Sequence, residues 1–338
     1  MHQGKLIQRG FFKFIPVLVA ICFLASCQSI NSITHNKNRS FSIVVLPDTQ
    51  NYTDSSYGGS PELFYQQTQW IKDNKEKLNI VMVAHVGDIV QNPDQAPQWE
   101  MASDAFKTID NEVPYIFCLG NHDIAKDQST ANDARATLLN DYFPPSRFTG
   151  NPLYNKNFSA DKEAHFMEPG KSDNYYLYFK GGAEKFLIIA LEFKPRDKVL
   201  VWANQVVSKH PDHRCIVLTH GYLNAQGKQG MGKYGITGNY PPLIWDKLVS
   251  KHPNMFMVLC GHILGEAIST CTGESGNKIH QILVDYQNGY IGNGGHGFLR
   301  IMTFYPDQNI IENKSYSPSL DVYINRDKSS FTLEYPDN

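Results

Sequence analysis

Short apolar runs recur along this chain of 338 residues and are separated by longer amphipathic stretches. Val44-Val45-Leu46, Val81-Met82-Val83-Ala84, Ile116-Phe117-Cys118-Leu119, Ile216-Val217-Leu218 and Met257-Val258-Leu259-Cys260 are the clearest. Rich in Val, Ile, Leu and Met and bounded by Gly, Asn or Asp, they read as buried strands. The first series predicts strand 42–47, helix 61–77, strand 80–86, helix 97–109 and strand 115–119. Ser60 followed by Pro61 suits a helix start, a capping side chain before a residue with pre-set φ. A second series predicts strands near 175–179 and 186–191, a helix near 198–208, strand 214–219, helix 242–250 and strand 255–260. From 278 onward the pattern is all strand, near 279–285, 298–304, 309–315 and 331–335.

Each of the five clearest runs ends on a residue able to bind a cation: Asp48, Asp88, Asn121, His220 and His262. Ligands of open α/β sheets collect beyond the carboxyl ends of strands, so these five form one candidate rim. A set of carboxylate, amide carbonyl and imidazole suits Mn, Fe or Zn, whereas oxygens alone would point to Mg or Ca. Gly87, Gly120 and Gly261 stand beside three of them, where the backbone must turn sharply or approach a ligand closely.

The segments Asp48-Thr49-Gln50, Gly87-Asp88, Gly120-Asn121-His122-Asp123, Thr219-His220 and Gly261-His262, in this order, resemble the calcineurin-like metallophosphoesterases. The resemblance covers roughly 41–304. It implies an α/β fold of two stacked mixed sheets flanked by helices, a four-layer sandwich, and hydrolysis of a phosphoester by a metal-bound hydroxide. It also implies that Asp88 bridges two divalent ions, that Asp48 ligates the first, and that Asn121, His220 and His262 complete the shell of the second. His122 resembles the general acid near the leaving oxygen. Asp123 resembles its orienting partner, a carboxylate that strengthens the imidazole's hold on a proton and fixes its tautomer.

Two positions depart from the family pattern. Its Asp-x-His opening is here Asp48-Thr49-Gln50, and its Gly-His-x-His close is Gly261-His262-Ile263-Leu264. By the scheme of the family the chain resembles, both missing histidines belong to the first ion. Residues two apart in extended chain point the same way, so Gln50 is expected to offer a carbonyl oxygen beside Asp48. Three outcomes stay open: one ion, two ions with the first held by Asp48, Gln50, Asp88 and water, or a site without catalysis. Two histidines are candidates to substitute: His85, three residues before Asp88, and His296, in the glycine-rich run 292–297 that is flexible enough to reach in.

The first 27 residues read as a signal peptide. Lys5, Arg9 and Lys13 precede an apolar core from Phe14 to Ala25 that is short for a membrane span. Leu24-Ala25-Ser26-Cys27 resembles a bacterial lipobox with Cys27 as the lipidated residue, and Gln28 after it suggests the outer membrane. Residues 28–40, rich in Ser, Asn and Thr, read as a tether, which leaves 41–338 as one elaborated domain. Removal of the three basic residues moves the formal charge from −2 to −5. No basic stripe favours nucleic acid, and membrane contact is expected from the lipid alone. Of the six cysteines, Cys118, Cys215 and Cys260 lie in apolar strands as small hydrophobes; Cys260 with Cys271 is the one local pair to check for a disulfide.

Two long connections follow the motifs directly and are expected to overhang the rim. One is 124–174, with a helical stretch near 131–142 and then Tyr142, Phe143, Phe148, Tyr154 and Phe158. The other is 221–241, which carries six glycines and Tyr222, Tyr234 and Tyr240. The segment 305–338 is expected to pair at a sheet edge. The expected activity is that of a lipid-anchored, extracytoplasmic phosphomonoesterase or phosphodiesterase, its substrate unspecified; the alternative is a metal- or ligand-binding lipoprotein on a degenerate scaffold of the same fold.

Overall fold

The first strand leaves solvent completely: Phe41, Ile43, Val44, Val45 and Leu46 are all fully buried, as a strand covered on both faces must be. A computed structural model describes residues 40–124, 131–149, 151–155 and 165–335 of the chain. The signal segment, Cys27, the tether up to residue 39 and Phe158 lie outside the described residues. Among the described residues, no helix is long and apolar enough to cross a membrane.

The strands, in chain order, are β1 (Phe41–Leu46), β2 (Ile80–His85), β3 (Tyr115–Phe117), β4 (His165–Phe166), β5 (Tyr175–Gly181), β6 (Glu184–Leu191), β7 (Arg214–Gly221), β8 (Met255–Gly261), β9 (Gly265–Thr272), β10 (Lys278–Asp285), β11 (Leu299–Tyr305), β12 (Ile310–Ser317), β13 (Val322–Tyr323) and β14 (Ser330–Glu334). The α-helices are α1 (Gln50–Thr53), α2 (Pro61–Asn74), α3 (Ala96–Lys107), α4 (Leu139–Tyr142), α5 (Pro152–Asn155), α6 (Asp197–Ser208) and α7 (Pro241–Lys247).

Two seven-stranded sheets result. The first has the order β13-β12-β11-β1-β2-β3, with β14 also on β12; the second is β4-β5-β6-β7-β8-β10-β9. β1, β2 and β3 run parallel. So do β6, β7, β8 and β10. Aromatic contacts pack the sheets face to face, with Phe41 of β1 5.6 Å from Phe186 of β6 and Phe117 of β3 5.6 Å from Tyr175 of β5. Such pairs combine large apolar burial with a preferred edge-on geometry. α2 and α3 meet at Phe64 and Phe106, which lie against His85 and Tyr115 of the first sheet. α6 buries Val199, Leu200, Ala203, Val206 and Val207 with the outer face of the second sheet. The expected four layers are present.

Local differences from the sequence reading have physical causes. β9 is not legible as a strand because it carries Glu266, Ser269, Thr270 and Thr272; yet Glu266 is buried, its charge met by Arg300 of β11. Of the predicted helix near 131–142, the structure keeps 139–142. Ser60 has the extended backbone of an N-cap, but its side chain makes no capping bond and the Leu63 amide donates to its carbonyl at 3.1 Å. Cys118, Cys215, Cys260 and Cys271 are free thiols; Cys260 donates to the Ile282 carbonyl at 3.4 Å. The final strands β13 and β14 both pair with β12 at one edge of the first sheet.

Candidate metal centre

The stacking of two parallel strand sets brings their carboxyl ends to one edge. Asp48, Asp88 and Asn121 come from the ends of β1, β2 and β3, and His220 and His262 from the ends of β7 and β8. All except His262 are essentially buried. Asp88 at φ +50° and His262 at φ +75° occupy the left-handed region, unusual for residues with a Cβ and a form of strain that clusters at functional sites. Gly120 and Gly261 are needed for close approach: a Cβ on the first would collide with the Asp88 carboxylate, and on the second with that of Asp48.

Asp88, His220 and His262 each present a ligand atom, all within 4.8 Å of one another. The tautomers follow from their partners. His220 Nδ1 lies 2.8 Å from the Val86 carbonyl and must donate to it, so Nε2 is the atom left to face the cluster. That nitrogen is 3.1 Å from Asp88 Oδ2 and 3.2 Å from Asn121 Oδ1. His262 Nε2 donates to the Met231 carbonyl at 2.9 Å, so its Nδ1 is the free donor atom. Imidazoles tied through one nitrogen to a backbone carbonyl are the usual metal-ligating form.

The electrostatics call for a cation. Burial, then Asp285 and Asp88, push the Asp48 carboxyl well above its usual range. Burial and Asp88 raise Asp123 to about 7, and burial with Asp88 beside it does the same for Asp285. Burial and then His220 press His262 down to about 4. Burial opposes a proton on His220, but the Asp88 carboxylate prevails and raises its pKa. Buried carboxylates in such number need protons or a metal to balance them. The donor set therefore fits a divalent ion at Asp88, Asn121, His220 and His262.

Three expectations change on inspection. Gln50 does not continue an extended strand; it opens α1, and its Nε2 donates to Asp88 Oδ2 at 3.3 Å instead of offering a carbonyl oxygen to Asp48. Its Oε1 is buried without a partner. Asp123 does not orient His122: its oxygens accept the backbone amides of Ile89, Val90 and Gly120 at 2.8, 3.0 and 2.8 Å. That carboxylate pins the loop carrying Asp88. The His122 ring is fixed by the Gln91 carbonyl, 3.1 Å from Nδ1, and its own amide donates to Asp88 Oδ1 at 2.9 Å. Neither substitute histidine joins the cluster. His85 is committed on both nitrogens, to Thr49 Oγ1 at 2.9 Å and the Gly87 amide at 3.2 Å, and burial drives it down to about 3. His296 sits in a left-handed turn against Asn293.

A cavity of about 380 Å³ opens beside the cluster, lined by Gln50, Asn51, Tyr57, Gln91, His122, Leu264 and Gln287. Gln287 and Asp285 were not singled out from the sequence. Asp285 did carry the signal, an acid closing the apolar strand Ile282-Leu283-Val284; Gln287 carried none. The loop 222–240 borders the site through Met231 and Tyr234, whose ring lies 5.3 Å from that of His262. Arg135 clamps it from the other connection by donating to the carbonyls of Phe193, Lys194 and Thr237 at 2.7, 3.0 and 2.6 Å. Phe143, Phe148 and Tyr154 of that connection serve packing, buried among Phe117, Tyr115 and Tyr175.

Two stacked sheets whose parallel strand ends converge on a mixed oxygen and nitrogen cluster have the architecture of a metallophosphoesterase, and the family comparison agrees. Residues 41–266 match the calcineurin-like phosphoesterase family model, and the chain belongs to that family. It is 30% identical over 313 residues to YvnB of Bacillus subtilis (strain 168), described as an uncharacterized protein. The match covers 87% of this chain and 22% of YvnB, so the chain spans about a fifth of that relative's length. The purple acid phosphatase PPD1 of yellow lupin (Lupinus luteus) shares the fold at a TM-score of 0.51 and 14% identity, covering 87% of this chain and 54% of the phosphatase.

Proposed function

We propose that this chain is a metal-dependent phosphoester hydrolase in which Asp88, Asn121, His220 and His262 hold a divalent transition metal and His122 delivers the leaving-group proton. The observation that carries the reading is the convergence of ligand atoms: His220 Nε2 lies 3.1 Å from Asp88 Oδ2 and 3.2 Å from Asn121 Oδ1. An ion bound there supplies neutralisation of phosphoryl charge and lowers the pKa of a coordinated water. The chain's own residues do the remainder. The Gln91 carbonyl accepts from His122 Nδ1, so Nε2 is the nitrogen left to carry a proton into the cleft. Asn51, Gln91 and Tyr57 present neutral polar groups to the ester's other substituent, which suits an uncharged alcohol portion of a monoester or diester.

Hydrolysis of p-nitrophenyl phosphate and bis-p-nitrophenyl phosphate after chelation and reloading with Mn, Zn or Fe tests the reading. His122→Ala is expected to slow an alkyl phosphate by about 10²–10⁴-fold, the range for a lost general acid. The same change should affect p-nitrophenyl esters far less, because p-nitrophenolate leaves without a proton. Equal losses on both substrates would remove His122 from the acid role. Absence of metal-dependent turnover across a broad phosphoester panel would instead favour a binding protein.

The same proposal places the domain outside the cytoplasm, tethered by lipid on Cys27, on the strength of Leu24-Ala25-Ser26-Cys27 after a short apolar core. Radiolabelled palmitate is expected to label the wild-type chain in a Gram-negative host and to leave Cys27→Ala unlabelled. Label retained by the variant rules out that anchor.

A further inference from the structure

The rim has two sides, and they differ in what faces the carboxylates. On the His220 side, ligating side chains converge: His220 Nε2 lies 3.1 Å from Asp88 Oδ2 and 3.2 Å from Asn121 Oδ1, and Asp88, His220 and His262 present ligand atoms within 4.8 Å of one another. On the Asp48 side, amide nitrogens meet the carboxylates, while Gln50 Oε1 and Asp285 Oδ2 stay without a hydrogen-bond partner. Asp48 Oδ2 accepts the His262 amide at 3.1 Å and Gln287 Nε2 at 3.1 Å. Asp88 Oδ1 accepts the His122 amide at 2.9 Å, and Oδ2 accepts Gln50 Nε2 at 3.3 Å. An amide turned the other way at either glutamine would set oxygen against carboxylate, so the chemistry selects the N–H. Leu264 lines the same part of the cleft and has no donor atom for a metal.

Gln287 is held in place by the fold. It begins a π-turn, 287–291, directly after β10, and its backbone amide donates to Asp285 Oδ1 at 2.9 Å. The turn is tied below by Tyr286 and Tyr290, whose hydroxyls donate to buried Glu266 at 3.0 and 3.2 Å.

From this asymmetry we infer that the site holds a single divalent ion, on the His220 side, and that the side-chain amides of Gln50 and Gln287 replace the second positive charge. The inference rests on the hydrolase reading above and specifies its electrostatics. Each amide nitrogen carries two hydrogens and gives one to a carboxylate. The other is available to a non-bridging phosphoryl oxygen, since both side chains line the cleft. Oriented donors of this kind stabilise transition-state charge without a second Lewis acid.

The test is to strip the full chain of metal, reload it with excess Mn(II), remove unbound ion, and both count Mn per chain and record its electron paramagnetic resonance spectrum. One ion with an isolated-ion spectrum is expected for the wild type, and two exchange-coupled ions for Gln50→His combined with Leu264→His. Gln287→Ala is expected to keep one ion while kcat falls on the order of 10²-fold, the scale of one lost oriented donor. Two coupled ions in the wild type with hydrolysis retained overturn this inference alone. No bound ion overturns it together with the hydrolase reading, and an unchanged kcat in Gln287→Ala overturns the role given to the amides.

Discussion

Asp88→Asn is expected to abolish turnover and empty the metal site in one step. Asp88 makes three contacts within the site: Oδ1 takes the His122 amide at 2.9 Å, and Oδ2 meets His220 Nε2 at 3.1 Å and Gln50 Nε2 at 3.3 Å. Burial alone pushes its carboxyl up, but His220, His122 and His262 prevail and hold it below the ordinary carboxylate range. Asparagine keeps the shape, removes the charge that attracts the cation, and turns an NH₂ toward groups that need an acceptor. Loss of the ion removes several kcal/mol of transition-state stabilisation, so kcat/KM should fall by at least about 10³-fold. Parallel measurement of metal content and circular dichroism separates this from unfolding. Full activity with full metal content in the variant refutes the site assignment.

Glu266→Gln is expected to cost about 3–5 kcal/mol of folding stability, the scale for breaking a buried ion pair and stranding its partner. Glu266 lies on β9 of the second sheet and Arg300 on β11 of the first, and both side chains are fully buried. The glutamate also receives Ser315 Oγ at 2.5 Å, Tyr286 and Tyr290 hydroxyls, and Ser329 Oγ. A glutamine has one acceptor oxygen for these donors and no charge for Arg300. Urea unfolding at neutral pH reads the loss. Combining Glu266→Met with Arg300→Met should destabilise less than either single change, because no charge is then left uncompensated. A single-variant cost under about 1 kcal/mol would show that the pair does not join the sheets energetically.

The strand-end residues were legible because each belongs to a local pattern. An apolar run closed by Asp48, Asp88, Asn121, His220 or His262 needs no knowledge of distant chain. Asp285 closes a run of the same kind and escaped notice only because no motif surrounds it. Hidden entirely were features whose meaning depends on a distant partner. The charge on Glu266 disguised β9 as a loop until Arg300 came to it. Asp123 stood next to His122 in sequence yet turned to three backbone amides, and Gln50 turned with α1 toward Asp88.

What this sequence determined by itself is therefore the inventory: two sets of buried parallel strands and, at their ends, side chains able to ligate a metal ion beside the imidazole of His122. Side-chain periodicity and residue chemistry are properties of a few neighbouring positions, so they can be read along the chain. Only the tertiary structure decided the pairings, such as Gln287 with Asp48 across 239 positions and His262 with the Met231 carbonyl. A hydrogen bond depends on where two groups lie to within a fraction of an ångström, and that is set by how the sheets stack.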